Sequence, residues 1–381
     1  MSRAQTVIVK AIVVALFVVV ALVPGRRLIG QSPQRAEAPT FEVDPSWPKM
    51  PEKMLTGEVG AVAVDSRDHI WIAHRPGKIG KAEYAPENLC CTQGPPIIEF
   101  DMQGNYIQGW GGPGEGYTWS GELHGIFVDH KDNVWICASF AGRDGKGKDT
   151  TLLKFTRNGK FLLQIGTPNT SGGSNDTENL NQPAGIAVYA KTNEVFVADG
   201  YKNRRVIVFD ADTGAYKRHW GAYGNTPDDA APNKLTPEGP GPQQFNLLHG
   251  IRISRDGIVY VADRSNNRLQ GFTLDGKFLK ELFIQRRTVG PGTVADVAIS
   301  PDPQQRFLYI PDINNDFIWI VSRDSFQVLG KFGRRGKYAG QFTEAHSIAT
   351  DSKGNVYVGE AIGGMRVQKF VSKGMKPTST E

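Results

Sequence analysis

The chain has 381 residues, 39% of them hydrophobic and 22% charged, with a formal net charge of +5. Residues 1–40 carry +4 of that charge (Arg3, Lys10, Arg26, Arg27 and Arg35 against Glu37), so the rest is nearly neutral and makes no electrostatic case for a nucleic-acid partner. Three cysteines, Cys90, Cys91 and Cys137, do not form a disulfide framework and allow one bridge at most.

In chain order, the first element is an apolar run from Ala11 to Val23, preceded by Arg3 and Lys10 and closed by Pro24-Gly25. Its 13 residues suit a signal-peptide core and are short for a membrane span. Export to the periplasm or the extracellular space is the expectation, with residues 1–38 as signal peptide or signal anchor plus linker. The Ala36-Glu37-Ala38 cleavage site lies far from the apolar core, so a membrane tether through residues 11–23 stays open.

After the leader a repeat begins. Six copies open at Gly60 (GAVAVDSRDHIWIAHR), His124 (HGIFVDHKDNVWICAS), Ala184, His249 (HGIRISRDGIVYVADRSNNRLQGF), Ala295 and His346 (HSIATDSKGNVYVGE), spaced 46 to 65 residues apart. Each reads as apolar run, turn, second run, loop and two further strands, with β-branched and aromatic residues in the runs and Asp-Gly or Lys-Gly-Asn at the turns. No stretch after residue 40 has sustained helical periodicity. The expected fold is all-β: a six-bladed β-propeller of NHL-type repeats over residues 41–371, following the apolar leader, with roughly 55 residues per blade and its edges protected by ring closure. The last copy lacks a strand, which Phe41–Trp47 can supply, and residues 372–381 read as a disordered tail.

Within a blade the first strand descends along the channel and the second returns, so residues opening the first and following the second surround one mouth. The openers are His124, His249 and His346, alternating with Gly60, Ala184 and Ala295. Packing has little reason to alternate large imidazoles with the smallest side chains, whereas an axial metal ion needs three inward ligands and space between them. Three neutral imidazoles suit zinc or another first-row divalent ion and leave a coordination position open. The second class contains Arg75, Tyr201 and Arg264: arginine can clamp a carboxylate, and tyrosine can transfer a proton. Taken singly these are loop residues of Asp-x-x-Asn-x-Arg turns, and His74 reads as packing. The glycine-rich segment 109–116 has no strand-to-helix unit around it and is no nucleotide site.

The combination FVADGYKNRRVIVF, then QFNLLHGIRI with VADRSNNRLQ, then a final His before an apolar strand, resembles the peptidyl-α-hydroxyglycine α-amidating lyase family across residues 55 to 370. The resemblance implies zinc on His124, His249 and His346, a catalytic Tyr201, and active-site arginines Arg75 and Arg264. It implies cleavage of the carbinolamide C–N bond of a substrate ending in hydroxyglycine, giving an amide and glyoxylate, by a monomer. It also implies a structural calcium held by the backbone carbonyls of Val62 and Ile126 and by an Asp after the last histidine. Ser347 stands there instead, with Asp296 in the neighbouring blade as the available carboxylate. Lys202, Tyr260 and Gly271 occupy positions of cysteines that animal members pair, and the sequence has no stretch resembling the copper monooxygenase that makes the hydroxyglycine. Two other readings are a metal lyase or hydrolase of a different small substrate, with altered mouth loops such as 141–150, and a non-catalytic exported NHL-type propeller that binds a protein or glycan.

Overall fold

The computed structural model describes residues 37–76, 91–119, 122–140 and 149–378; the leader, Cys90 and residues 141–148 lie outside them. Six four-stranded antiparallel sheets follow one another around a ring; in the first five the sequence-first strand is innermost, and in the sixth it is Ala345–Thr350. The inner strands are Glu58–Val64, Glu122–Val128, Gly185–Tyr189, Leu248–Ile253, Ala298–Ile299 and Ala345–Thr350. The chain is therefore a six-bladed β-propeller with a channel along its axis.

The alternation of each strand places apolar side chains on both faces of a blade, so the hydrophobic core is divided among the blade interfaces. Six buried clusters result, one per interface. Trp71, Ile97 and Ile126 lie between the first and second blades; Tyr260, Leu308 and Trp319 lie between the fourth and fifth. Loops with an Asp, an Asn three or four residues on and an Arg two beyond that tie strands two and three of a blade: Asp199 accepts from Asn203 and Arg205 Nε (2.7 and 3.0 Å), and Asp263 from Asn266 and Arg268 Nε (both 2.8 Å). Both arginines are fully buried. Cys137 is a free, buried thiol, and Cys91 is disulfide-bonded.

The ring closes through both ends of the described chain. Glu37–Asp44 is the outermost strand of the sixth blade and pairs antiparallel with Arg366–Pro377, from Glu37 opposite Pro377 to Asp44 opposite Lys369. Two sequence expectations are corrected here. Residues 372–377 are strand, not tail, because backbone pairing holds a segment whose polar side chains (Ser372, Lys373, Lys376) read as tail. The closing strand runs earlier than Phe41–Trp47, taking in Glu37 and Ala38, while Trp47 instead packs between Phe100 and Tyr357 at the first–sixth blade interface (ring centroids 5.9 and 5.0 Å).

Phe41 anchors this strand on the fifth blade, 4.8 Å from Phe332 and 5.5 Å from Tyr309 between ring centroids. It is half-buried, so Phe41→Ala should cost about 2 kcal/mol, less than the 3–5 typical of a core Phe. A urea titration should show the midpoint falling at unchanged m; an unmoved midpoint would show that closure does not depend on this contact.

Candidate metal centre

The three alternating histidines come together because of a backbone irregularity shared by their strands. In the second blade Leu123 pairs with Ala138 and Gly125 with Cys137, leaving His124 as an extra, bulged residue. The same register shift isolates His249 between Leu248 and Gly250, and His346 between Ala345 and Ser347. A bulge re-aims one side chain without disturbing the ladder on either side, and here it turns each imidazole towards the axis. The glycines after the first two histidines reflect how closely the blades approach. A Cβ on Gly125 would lie 2.7 Å from the Ala184 carbonyl oxygen, and one on Gly250 would lie 2.5 Å from Asp296 Oδ1.

The imidazole rings form a near-regular triangle with centroids 4.5, 4.6 and 4.8 Å apart, and one nitrogen of each lies within 4.8 Å of the others. Their Nδ1 atoms face backbone carbonyls: His124 to Ala184 (2.9 Å), His249 to Ala295 (2.5 Å) and His346 to Gly60 (2.8 Å). A carbonyl only accepts, so each Nδ1 carries the proton and each Nε2 presents a lone pair inward. The small residues that alternate with the histidines thus supply the oxygens that orient them. Burial holds His124 and His249 well below the usual imidazole range and His346 down at about 3; the neighbouring imidazoles act in the same direction on His124 and His249, the charge of Arg264 on all three, and that of Arg75 on His124 and His346. Three neutral, pre-oriented nitrogens converge on one point, and the buried Nε2 of His249 has no hydrogen-bond partner. Nitrogens 2.0–2.1 Å from one tetrahedral ion stand about 3.4 Å apart, which small ring shifts achieve here.

The predicted mouth residues surround this triangle. Tyr201 OH is 2.9 Å from His124 Nε2, and Arg264 Nη1 donates to the same hydroxyl at 3.4 Å while its Nε donates to the Pro291 carbonyl. Arg75 Nε donates to the Leu123 carbonyl (3.0 Å), and its Nη1 pairs with Glu58 at 2.8 Å and Glu122 at 4.0 Å. Among the described residues no acidic side chain pairs with Arg264. Sequence reasoning missed Glu58 and Glu122, although a signal was present: each stands two residues before its blade's opener, Gly60 and His124. His74, read as packing, is buried and accepts from the Gly57 amide at Nδ1 while Nε2 donates to the Pro95 carbonyl. Beyond Arg264 on the same face, a cavity of about 640 Å³ is lined by Lys234, Asn246, Ser265, Asn267, Arg286 and Arg287.

Two further groups need placing. Asp65, His69 and Glu99 also lie within metal-ligand reach of one another, but Arg157 pairs with both carboxylates, so protein already supplies the positive charge. The carbonyl layer suggested for calcium lies two residues below the imidazoles. There Asp296 is engaged by the guanidinium of Arg252 at 3.1 Å and by the amides of Val297 and Ile348 (2.8 and 3.2 Å). A divalent ion would sit against a fixed positive charge, so these residues do not fit calcium. Ala295 does not begin a regular strand, since Asp296 interrupts the ladder and pairing resumes at Ala298.

Residues 245–272 match the family model for the NHL repeat. The human NHL repeat-containing protein 3 is 28% identical over 347 residues, covering 88% of this chain and 86% of that protein. Peptidyl-alpha-hydroxyglycine alpha-amidating lyase 1 of Drosophila melanogaster is 25% identical over 372 residues, covering 89% of this chain and 61% of that protein. Peptidyl-glycine alpha-amidating monooxygenase A of Xenopus laevis is 27% identical, covering 87% of this chain and 34% of that protein. A solved streptogramin B lyase shares the fold at TM-score 0.51 and 13% identity, covering 87% of this chain and 98% of that one. The propeller is thus built from NHL-type repeats, and the chain resembles the amidating lyases along nearly its whole described length.

Two outcomes follow from this geometry. His249→Ala should remove stoichiometric metal, read by elemental analysis, while the far-ultraviolet spectrum stays β-rich, because the ring closes through strand pairing; one tightly held ion per chain in that variant would refute the centre. The metal-free protein should also be sensitive to acid. His74, held at about 4, and His346 take up protons only well below the unfolded value of about 6.5. The unfolded chain therefore binds protons first: stability is intact above pH 6.5 and falls by up to about 1.4 kcal/mol per pH unit per group as pH drops towards 4. A melting temperature flat from pH 7 to 4 would contradict the assigned neutral imidazoles.

Proposed function

We propose that this protein is a zinc-dependent lyase that cleaves the carbinolamide C–N bond of a peptidyl-α-hydroxyglycine or a similar α-hydroxy-amide, releasing an amide and glyoxylate. The observation that carries the reading is the buried triangle of neutral imidazoles with, at its edge, a tyrosine hydroxyl and an arginine that has no acidic partner among the described residues. A non-catalytic propeller has no use for it, and the resemblance to the amidating lyases points to the same chemistry.

Zinc on the three Nε2 atoms would supply Lewis acidity and a template for the substrate's oxygens. The protein's own residues do the rest. Tyr201 donates to the His124 Nε2 lone pair that a metal would take, and with that lone pair occupied the hydroxyl would keep Arg264 as its neighbour. As base, Tyr201 acts as its phenolate, its own proton having left to solvent: it takes the substrate hydroxyl proton, the O–H electrons become the C=O bond of glyoxylate, the C–N pair leaves on nitrogen, and Tyr201 returns the proton there, giving the amide and restoring the phenolate. Arg264, without an acidic partner among the described residues, suits the glycine carboxylate better than Arg75, whose charge Glu58 already balances. Arg75 is then a positioning residue, holding the Leu123 carbonyl next to the His124 bulge. The cavity beside Arg264 is open to the acyl part of the substrate. The apolar leader supports an exported, periplasmic or extracellular enzyme, tethered if the leader is retained.

Metal analysis coupled to glyoxylate release from benzoyl- or peptidyl-α-hydroxyglycine tests the reading. Zinc-loaded protein that releases none would move the assignment to another hydroxy-amide or small carboxylate. Tyr201→Phe should lower kcat about 10²–10⁴-fold at unchanged zinc. Arg264→Ala should lower kcat/KM by about 30-fold or more on substrates with a free carboxylate and little on those without one; equal losses on both would remove the clamp from Arg264.

A further inference from the structure

Below the imidazoles, inner-strand carbonyls of the fourth and sixth blades meet one guanidinium. Counting two residues on from each opener gives Val62, Ile126, Ile251 and Ile348 at one level in the first, second, fourth and sixth blades. Arg252 folds its guanidinium into this level. Its Nη1 donates to the Ile251 carbonyl at 2.8 Å, and its Nη2 to the Ile348 carbonyl at 3.2 Å and to Asp296 at 3.1 Å. One positive group from the fourth blade therefore meets the carbonyl of the sixth and the carboxylate of the fifth. Those are the donor types a hard cation collects, an array of carbonyl oxygens and a carboxylate. The same side chain walls two cavities at once. One, of about 20 Å³, is lined by the three histidines and Ser347; the other, of about 190 Å³, opens among Ala63, Phe127, Ala187 and Ala349.

We propose that Arg252 is the built-in axial cation of this propeller. It replaces the calcium ion that the amidating-lyase resemblance implies, ties the fourth, fifth and sixth blades together through their inner strands, and partitions the metal chamber from the opposite end of the channel. The balance of charge supports this. Asp296 is the carboxylate at this level, and Arg252 neutralises it, whereas Ser347, where a calcium ligand would be expected, carries no charge. A guanidinium that spans two carbonyls and a carboxylate satisfies all three without a metal. The inference does not depend on zinc or on lyase activity.

The test is the thermal stability of full-length protein stripped with EDTA, with and without millimolar calcium chloride, in the wild type, Arg252→Ala and Arg252→Lys. Wild-type protein should melt at the same temperature with or without calcium and bind no calcium in elemental analysis after desalting. Arg252→Ala leaves Asp296 buried without its partner and should melt several degrees lower, with calcium restoring part of the loss. Arg252→Lys keeps one charge without the fork and should fall between the two. If Arg252→Ala does not fold, the wild-type titration and the lysine variant still decide. A calcium-dependent rise in the wild type, an Arg252→Ala or Arg252→Lys protein as stable as the parent, or an Arg252→Ala protein indifferent to calcium would each overturn the proposal.

Discussion

A propeller has no central core, and that constraint governs this molecule. Apolar burial is divided among six interfaces, so the axis is lined by inner-strand backbone packed too closely for ordinary side chains. At Gly60 a Cβ would stand 2.2 Å from the Leu123 carbonyl oxygen. Whatever occupies the axis must either be small or satisfy the polar groups it meets. The histidines do the latter with carbonyls of neighbouring blades, and Arg252 does so one level below. The channel is thus organised as two polar layers, the upper one neutral and rich in lone pairs, the lower one charged and internally compensated.

The electrostatics of the upper layer follow from its frame. Arg75 and Arg264 stand near imidazoles that burial already keeps uncharged, and both arginines push in the same direction. The positive surroundings discourage protons on the imidazoles and favour anions at the rim, which suits the proposed binding of a metal and a carboxylate together. Glu58 limits the effect on one side by pairing with Arg75, giving the mouth one balanced arginine and one available one.

Much of this was readable from the sequence because a repeat converts register into geometry. Once the six openers are aligned, ring closure places His124, His249 and His346 around one axis, and the strand count places Arg75, Tyr201 and Arg264 at the same mouth. What register cannot express is where the ladder is broken. The bulges that aim the imidazoles leave no residue signature beyond the glycines after two of them, and the interruption at Asp296 is visible only once its side chain is seen to bond Val297 and Ile348. Partner choice was written more faintly: Glu58 stands two residues before the opener of the blade that carries Arg75, where the blade of Arg264 has Leu247. The outer strand through Pro377 was missed because edge pairing is made by backbone, which polar residues do not betray.

The pairing of Glu37–Asp44 with Arg366–Pro377 has a consequence for how the protein is made. A chain synthesised from its amino end produces one partner of the closing seam at the start and the other some 320 residues later. Until then the early strand is an unpaired edge, with Phe41 and Val43 uncovered, and the blades can stack only as an open arc. The sixth blade lacks a strand until Arg366–Pro377 has been made. Closure of the ring thus waits for Arg366–Pro377, and the contact that completes it joins strands far apart in sequence.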